Sequence, residues 1–174
     1  MIVLVLGGAR SGKSAAAEAI AAELGDPVTY LATVRDDGSD ADLAARVAAH
    51  QARRPPSWTT LQAEPHLREQ VTRLTGTLLL DSLGPWVAMT RPDAESLDAL
   101  AQALTTRDGD TVVVSDEVGM SVHPSTALGR EFRDALGSAN AAVARVADSV
   151  LLVVAGRVLR TEPLDVASLL GRDR

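Results

Sequence analysis

The sequence predicts a single α/β domain, in which a mostly parallel β-sheet carries helices on both faces. Short apolar runs bounded by Gly, Asp or Pro alternate with helical patterns along the chain. The first of these runs leads into a glycine-rich loop and then into an alanine-rich helix. The chain has 174 residues and no cysteine, so it is long enough to bury a core but cannot form a disulfide or a thiolate metal site. Repeated strand–helix units of this kind are typical of doubly wound folds.

The apolar runs predict strands at Ile2–Leu6, Val28–Ala32, Thr77–Leu80, Thr111–Ser115 and Val150–Val154. Helical patterns fill the intervals at Ala15–Leu24, Asp40–Arg53, Pro65–Leu74, Ala94–Leu104 and Ser125–Ala147, with Gly129 or Gly137 as the candidate point for a break in the last helix. Strands that are apolar throughout are buried on both faces, which favours a parallel sheet. The prolines after Arg54 exclude helix there and predict a stiff turn. We expect one domain over residues 1–160 and an irregular tail over residues 161–174, with a last helix at Leu164–Leu170.

The glycine-rich loop, Gly7-Gly-Ala-Arg-Ser-Gly-Lys-Ser14, has the spacing of a phosphate-binding loop. Gly7 and Gly12 allow backbone N–H groups to point at phosphate oxygens, and the following helix dipole adds to that field. Lys13, the only lysine of the chain, would reach the β- and γ-phosphates, and the Ser14 hydroxyl would bind Mg²⁺. The alternative is a glycine-rich turn with an incidental lysine, but the strand and helix around the loop favour phosphate binding. The sequence therefore predicts a RecA-like P-loop NTPase fold that binds a nucleoside triphosphate.

Acidic residues follow two of the predicted strands. Asp81 ends an apolar strand, where doubly wound folds bind ligands, and in P-loop proteins such an acid holds Mg²⁺. The alternative for Asp81 is a cap on the segment that follows. Asp116 and Glu117 end another strand, and because successive strand residues face opposite ways, we expect one of them to enter the site. Glu117 is the preferred candidate, as a general base or magnesium-associated acid, against a capping or surface role.

His50 is a candidate nucleophile because of its neighbours on the predicted second helix. Arg46 and Arg53 lie four residues before it and three after it, so all three share one helix face. A neutral imidazole can attack phosphorus while guanidinium groups hold the phosphate oxygens. From these residues alone, an exposed histidine without a chemical role is the favoured interpretation.

Charge and the first apolar run limit the partners. The net charge of −6 argues against a broad nucleic-acid surface. The first run has no basic leader and is too short for a signal peptide or a membrane span. We therefore expect a cytoplasmic protein with no nucleic-acid partner and no membrane span.

An ordered set of motifs runs from Met1 to about Arg160. It comprises the loop Gly7–Ser14, Tyr30-Leu-Ala-Thr33, Ala44-Ala-Arg-Val-Ala-Ala-His50 with Arg54-Pro and Trp58, Leu78-Leu-Leu-Asp-Ser-Leu-Gly-Pro-Trp-Val87, and Val113-Val-Ser-Asp-Glu-Val-Gly-Met120 with His123-Pro124 and Asn140. This set resembles the bifunctional adenosylcobinamide kinase/adenosylcobinamide-phosphate guanylyltransferase family of cobalamin biosynthesis. Asp116 departs from the family's pattern, which usually has asparagine there.

The resemblance implies two reactions. ATP or GTP would donate its γ-phosphoryl group to the corrinoid substrate, adenosylcobinamide, with Lys13 and with Mg²⁺ held by Ser14 and Asp81. His50 would then attack the α-phosphorus of GTP, and the guanylyl-histidine would pass GMP to adenosylcobinamide phosphate. The resemblance also implies a homotrimer. The expected catalytic residues are His50, Lys13 and Glu117.

The nucleotide contacts that we expect come from the loop, the end of the second strand, the end of the second helix with the arginine that follows it, Gln62 and the strand-end acid: Gly7, Gly8, Ala9, Arg10, Ser11, Gly12, Lys13, Ser14, Ala32, Thr33, Val34, Gln51, Ala52, Arg53, Arg54, Gln62 and Asp81. Two other functions stay open. One is a small-molecule kinase of the same fold in which His50 is structural, and the other is a nucleotide-binding regulatory module.

Overall fold

The computed structural model describes residues 1–34, 45, 48, 51, 52 and 54–166. The described strands are β1 (Ile2–Gly7), β2 (Val28–Ala32), β3 (Thr59–Gln62), β4 (Thr77–Asp81), β5 (Thr111–Asp116), β6 (Ser149–Val154) and β7 (Arg157–Thr161). The described helices are α1 (Lys13–Leu24), α2 (Leu67–Arg73), α3 (Leu83–Thr90), α4 (Ala94–Thr106) and α5 (Ala127–Ala144). The expected alternation of strand and helix is confirmed.

All the strands belong to one seven-stranded sheet in the order β3-β2-β4-β5-β1-β6-β7. Every pairing is parallel except that of β6 with β7, which is antiparallel. The loop-bearing strand β1 lies between β5 and β6, so its carboxyl end is flanked on both sides. In parallel sheets, ligands bind in the crevice outside the carboxyl ends of the strands. The sheet therefore places the glycine-rich loop at the centre of that edge.

Each face of the sheet has its own apolar core. Alternate residues of the central strands, such as Val5 and Val114, pack under Ala17 and Ala21 of α1. The intervening residues, such as Leu4, join the core formed with α2, α3, α4 and α5. The sheet is thus buried on both sides, which explains why the consecutive middle positions of the central strands are apolar. The predicted doubly wound α/β class is confirmed.

Several predicted boundaries change. The strands β3 and β7 were not predicted, because β3 is polar and largely exposed and β7 is exposed throughout. Helix α3 begins in Leu83-Gly-Pro, a tripeptide that signals a turn rather than a helix. Helix α5 continues through Gly129 and Gly137, so the expected break is wrong. The expected tail begins at Thr161, the last residue of β7, and most of the predicted helices Asp40–Arg53 and Leu164–Leu170 lies outside the described residues.

A buried arginine joins two loops at the end of the sheet opposite the glycine-rich loop. Arg107 is 7% exposed, and its guanidinium donates to the carbonyl oxygens of Leu74, Gly76 and Asp110 and to the hydroxyl of Thr111. Burial lowers the pKa of Arg107 below its usual range. The two loops also touch directly, since a Cβ on Gly109 would lie 2.2 Å from the Gly76 carbonyl oxygen.

Among the residues that the structure describes, no helix is both long enough and apolar enough to span a bilayer.

We predict that Arg107→Met destabilises the fold by about 2–4 kcal/mol, because it leaves buried acceptors without their donor. Urea denaturation followed by circular dichroism measures this change in the free energy of unfolding. Arg68→Met is the matched control, since the Arg68 side chain is 57% exposed and should change stability by less than about 0.5 kcal/mol. Equal midpoints for the two variants would contradict the role of Arg107.

Candidate active site

The glycine-rich loop is held tightly at both ends. A Cβ on Gly7 would lie 2.4 Å from Ser11 Oγ and 2.7 Å from the Val153 carbonyl oxygen, so only glycine fits at the end of β1. Gly12 has a φ of 97°, in the left-handed region that favours glycine, and α1 begins at the next residue. The Gly156 N–H donates to the Ser11 carbonyl oxygen at 2.8 Å, which ties the loop to the β6–β7 turn. These contacts present the loop residues 8–10 at the surface, beside the first turn of α1.

Lys13 turns back over this loop. Its ammonium lies 3.2 Å from the Gly8 carbonyl oxygen and 2.7 Å from Asp116 Oδ1. The Lys13 side chain is 13% exposed, whereas that of Asp116 is 39% exposed. The predicted phosphate-binding lysine is therefore at the loop, and it forms an ion pair with a strand-end acid.

Strand alternation places both strand-end aspartates on the side of α1. Asp116 follows Val112 and Val114 at intervals of two, and Asp81 follows Leu79, and these apolar residues pack in the core beneath α1. Gly7 is in register with Asp116, and Asp81 is in register with Val114. Asp116 thus lies two residues beyond the position on β5 that pairs with Asp81, and it is next to the loop. Asp81 lies on β4, the strand next to β5 on the side away from β1.

Asp81 is fixed by a tyrosine that the sequence analysis did not assign a role. The hydroxyl of Tyr30, which points to the same face from β2, donates to Asp81 Oδ2. Burial, and then the charge and hydrogen bond of Asp81, raise the pKa of Tyr30 above its usual range. The guanidinium of Arg54 lies 3.3 Å from the centre of the Tyr30 ring, a cation–π contact. The signal in the sequence was the period-two spacing of Tyr30 and Ala32, which puts Tyr30 on the face of the strand-end acids.

Glu117, the preferred acid of its pair, points elsewhere. Its Oε1 accepts from the backbone N–H groups of Gly119 and Met120, at 2.6 and 3.3 Å, so the carboxylate caps the loop after β5. Its own N–H donates to the Gly7 carbonyl oxygen at 3.1 Å, which extends the β1–β5 pairing. The acid that contacts Lys13 is Asp116, and the physical reason is strand alternation: Asp116 has the parity of the α1 face.

The polar side chains at the turn after β2 form hydrogen bonds to other groups of the protein. The Thr33 hydroxyl is buried, donates to the Ser82 carbonyl oxygen and accepts from the Ser82 N–H at 3.0 Å. The Gln62 side-chain amide donates to the carbonyl oxygens of Ala32 and Val34, at 2.7 and 3.2 Å. These residues shape the turn through which the chain leaves β2. The structure thus bonds Thr33 to Ser82, the residue after β4, and bonds Gln62 to the turn itself.

The candidates of the predicted second helix are described only in part. Gln51 and Ala52 are exposed, and the Gln51 carbonyl oxygen accepts from the Arg54 N–H. His50, Arg46 and Arg53 lie outside the described residues.

Hydroxyl and carboxylate oxygens are the donors at the expected magnesium position. Ser14 lies in the first turn of α1, and Asp81 ends a strand on the face that α1 covers. Mg²⁺ prefers oxygen ligands and binds few protein groups, because substrate phosphates and water complete its coordination. The described residues contain no cluster of three or more His, Asp or Glu side chains that could hold a metal by itself. Ser14 and Asp81 therefore suit a Mg²⁺ ion that arrives with a nucleotide.

A parallel sheet with a glycine-rich loop at its carboxyl edge, a lysine over that loop and acids on the next strands defines the class of P-loop nucleotide-binding proteins. The family model for cobinamide kinase / cobinamide phosphate guanyltransferase matches residues 3–161. The chain belongs to this family, and the resemblance inferred from the motifs is confirmed.

Curated relatives agree. The chain is 38% identical to the bifunctional adenosylcobalamin biosynthesis protein CobP of Pseudomonas aeruginosa, over 92% of this chain and 98% of that protein. It is 35% identical to the bifunctional adenosylcobalamin biosynthesis protein CobU of Escherichia coli and 36% identical to that of Salmonella typhimurium, in each case over 90% of this chain and 97% of the relative.

Solved structures support the fold alone. A protein of Pyrococcus horikoshii OT3 superposes with a TM-score of 0.55 at 9% identity, covering 95% of this chain and 87% of its own. An ATPase of a bacterial type III secretion system superposes with a TM-score of 0.50 at 15% identity, covering 87% of this chain and 50% of its own.

We predict that the phenolate of Tyr30, the only tyrosine of the chain, forms at a higher pH in the native protein than in urea. Unfolded tyrosine ionises near pH 10, so the native state holds this proton more tightly above that pH. The stabilisation is complete below about pH 10, and above it the free energy of unfolding should fall by up to about 1.4 kcal/mol per pH unit. Ultraviolet titration of native and urea-unfolded protein measures both onsets.

Asp81→Asn tests the cause, because it removes the charge that faces the phenol and should move the native onset downward. Asp98→Asn, a change of the same type in an exposed ion pair with Arg145, should leave the onset where it is. A native onset at the unfolded value would contradict the Tyr30–Asp81 contact.

Proposed function

We propose that this chain phosphorylates adenosylcobinamide with ATP or GTP and then transfers GMP from GTP to adenosylcobinamide phosphate. The observation that carries the proposal is the family match over residues 3–161, together with a complete phosphate-binding loop whose lysine forms an ion pair with the strand-end acid Asp116. The names of the relatives, which describe bifunctional proteins of adenosylcobalamin biosynthesis, agree with two reactions.

In the kinase step, the acceptor hydroxyl attacks the γ-phosphorus, the bond to the β–γ bridging oxygen breaks, and a nucleoside diphosphate leaves. Residues 7–14 bind the phosphates through backbone N–H groups, and the Lys13 ammonium stabilises the charge that develops on the bridging and γ-oxygens. Mg²⁺, held by Ser14 and Asp81, would supply further charge neutralisation. Tyr30 keeps the Asp81 carboxylate oriented, and Glu117 caps the loop after β5.

In the transferase step, His50 attacks the α-phosphorus of GTP and pyrophosphate leaves, so that a phosphorus–nitrogen bond replaces a phosphoanhydride. The phosphate of adenosylcobinamide phosphate then displaces the histidine and forms the new phosphoanhydride. Arg46, Arg53, Arg54 and Arg10 are the proposed triphosphate contacts. The stacking of Arg54 on Tyr30 supports this assignment, because it places the turn that follows His50 in the sequence beside the strand that carries Tyr30.

The remaining nucleotide contacts are proposed from the turn around Ala32, Thr33, Val34 and Gln62 and from Gln51 and Ala52. Since the side chains of Thr33 and Gln62 bond within the protein, we assign these two residues a role in shaping the turn. We also propose that the protein is cytoplasmic and forms a homotrimer. Light scattering coupled to gel filtration measures the molar mass and so tests the trimer.

We predict that incubation with Mg²⁺ and GTP labelled at the α-phosphate leaves a stable label on the protein that is labile to acid but not to alkali, as expected for a phosphorus–nitrogen bond. His50→Ala should abolish this label. In a second incubation, with GTP labelled at the γ-phosphate and with cobinamide present, the same variant should still transfer the label to cobinamide. His66→Ala, which changes an exposed histidine elsewhere, is the matched control and should retain the α-label.

Lys13→Ala should weaken both transfers by a factor of about 100 or more, as expected for loss of a charged group that acts in the transition state.

In the labelling experiment, absence of α-label with intact nucleotide binding would favour the kinase with a structural His50. Nucleotide binding without transfer to any corrinoid would favour the regulatory module.

A further inference from the structure

We propose that Asp116 competes with nucleotide phosphates for the Lys13 ammonium and thereby makes the site select metal-bound over metal-free nucleotide. The proposal rests on the proposed function only in that a nucleoside triphosphate binds at residues 7–14. Asp116 would thus determine specificity, although neither proposed reaction requires it.

The backbone of Asp116 is fixed from two sides. Asp116 is in register with Gly7, and the following N–H, that of Glu117, donates to the Gly7 carbonyl oxygen. From the opposite face of the sheet, the Asn140 side-chain amide on α5 donates to the Asp116 carbonyl oxygen at 3.0 Å. Asp116 is therefore held at the loop as part of the sheet and not as a mobile surface acid.

The carboxylate of Asp116 has a defined environment. Oδ1 lies 2.7 Å from the Lys13 ammonium. Oδ2 faces the first turn of α3, since a Cβ on Gly84 would lie 3.6 Å from it. The positive end of a helix favours a carboxylate in this place. The Asp116 carboxylate thus lies between two positive features, the Lys13 ammonium at Oδ1 and the amino end of α3 at Oδ2.

Competition follows from the charges. A lysine ammonium over a phosphate-binding loop can donate to triphosphate oxygens or to Asp116, and a bare triphosphate is itself repelled by the neighbouring carboxylate. Because the Lys13 side chain is largely shielded from water, solvent screens these interactions less than at an open surface. A divalent cation on the phosphates neutralises part of their charge and so reduces the repulsion. Asp116 should therefore penalise free nucleotide more than the magnesium complex.

The test is calorimetric titration of GTP into the full chain, in EDTA and in Mg²⁺, with Asp116→Asn, an isosteric change that removes the charge. In EDTA the variant should bind GTP about ten-fold more tightly than wild type. In Mg²⁺ the gain should shrink to less than about three-fold. Asp98→Asn breaks the exposed pair with Arg145 and changes the net charge equally, so it should match wild type in both buffers.

A variant that binds no more tightly than wild type in EDTA would overturn the competition. An equal gain in both buffers would overturn the selection of metal-bound nucleotide. These titrations need no turnover, so a chain that binds as expected but transfers nothing to cobinamide would refute the proposed function and not this inference. Failure of every variant to bind GTP in either buffer would refute both.

The ion pair itself has an independent readout, because Lys13 is the only lysine of the chain. With isotope-labelled lysine, the side-chain ammonium gives a single nuclear magnetic resonance signal. We expect Asp116→Asn and GTP each to shift this signal and Asp98→Asn to leave it unchanged. An identical signal in wild type and Asp116→Asn would show that the two side chains do not interact.

Discussion

The parallel pairing of β1 with β5 is the constraint on which the rest of the site depends. It puts Gly7, where the chain turns into the phosphate-binding loop, in register with Asp116, and it continues through the hydrogen bond from the Glu117 N–H. A shift of one residue would exchange the two faces of β5 and direct Glu117 toward α1 in place of Asp116. The packing of β5 opposes such a shift, because Val112 and Val114 pack in the core beneath α1 and Val113 packs in the core on the other face. Core packing therefore decides which acid meets the lysine.

Some elements of this fold could be predicted from the sequence and others could not. The loop was predictable because its glycines, lysine and serine occur at fixed spacing between a strand and a helix. The central strands were predictable because burial on both faces favours runs of consecutive apolar residues, as in β4 and β5. Strands β3 and β7 were not, since an edge strand has neither requirement, and both are largely exposed. Helix α3 was hidden by Gly84 and Pro85, which suit a helix start only when the preceding strand end supplies the N-terminal context.

Composition and motifs do not decide whether Asp116 or Glu117 faces Lys13. Both residues are acidic and adjacent, so only the parity of the preceding strand separates them. That parity depends on which face α1 covers, which is a property of the tertiary structure. The same holds for Tyr30: its spacing from Ala32 was visible, but its hydrogen bond to Asp81 depends on β2 pairing with β4, two strands that are distant in the sequence.

The carboxyl edge of the sheet separates the groups proposed for the two reactions. Lys13 and Asp116 lie over β1 and β5, whereas Tyr30, with Arg54 stacked on its ring, lies on β2, which is three strand spacings from β1, or roughly 14 Å. Asp81 on β4 lies between them and is bonded to Tyr30. In the proposed reactions the acceptor hydroxyl attacks the γ-phosphorus and His50 attacks the α-phosphorus, so a bifunctional site needs distinct positions along a shared edge. Lys13, Asp81 and Arg54 provide such positions in order along the edge. Because Arg54 stacks on Tyr30 and Tyr30 bonds to Asp81, a substitution of Arg54 would also change the surroundings of the proposed magnesium ligand.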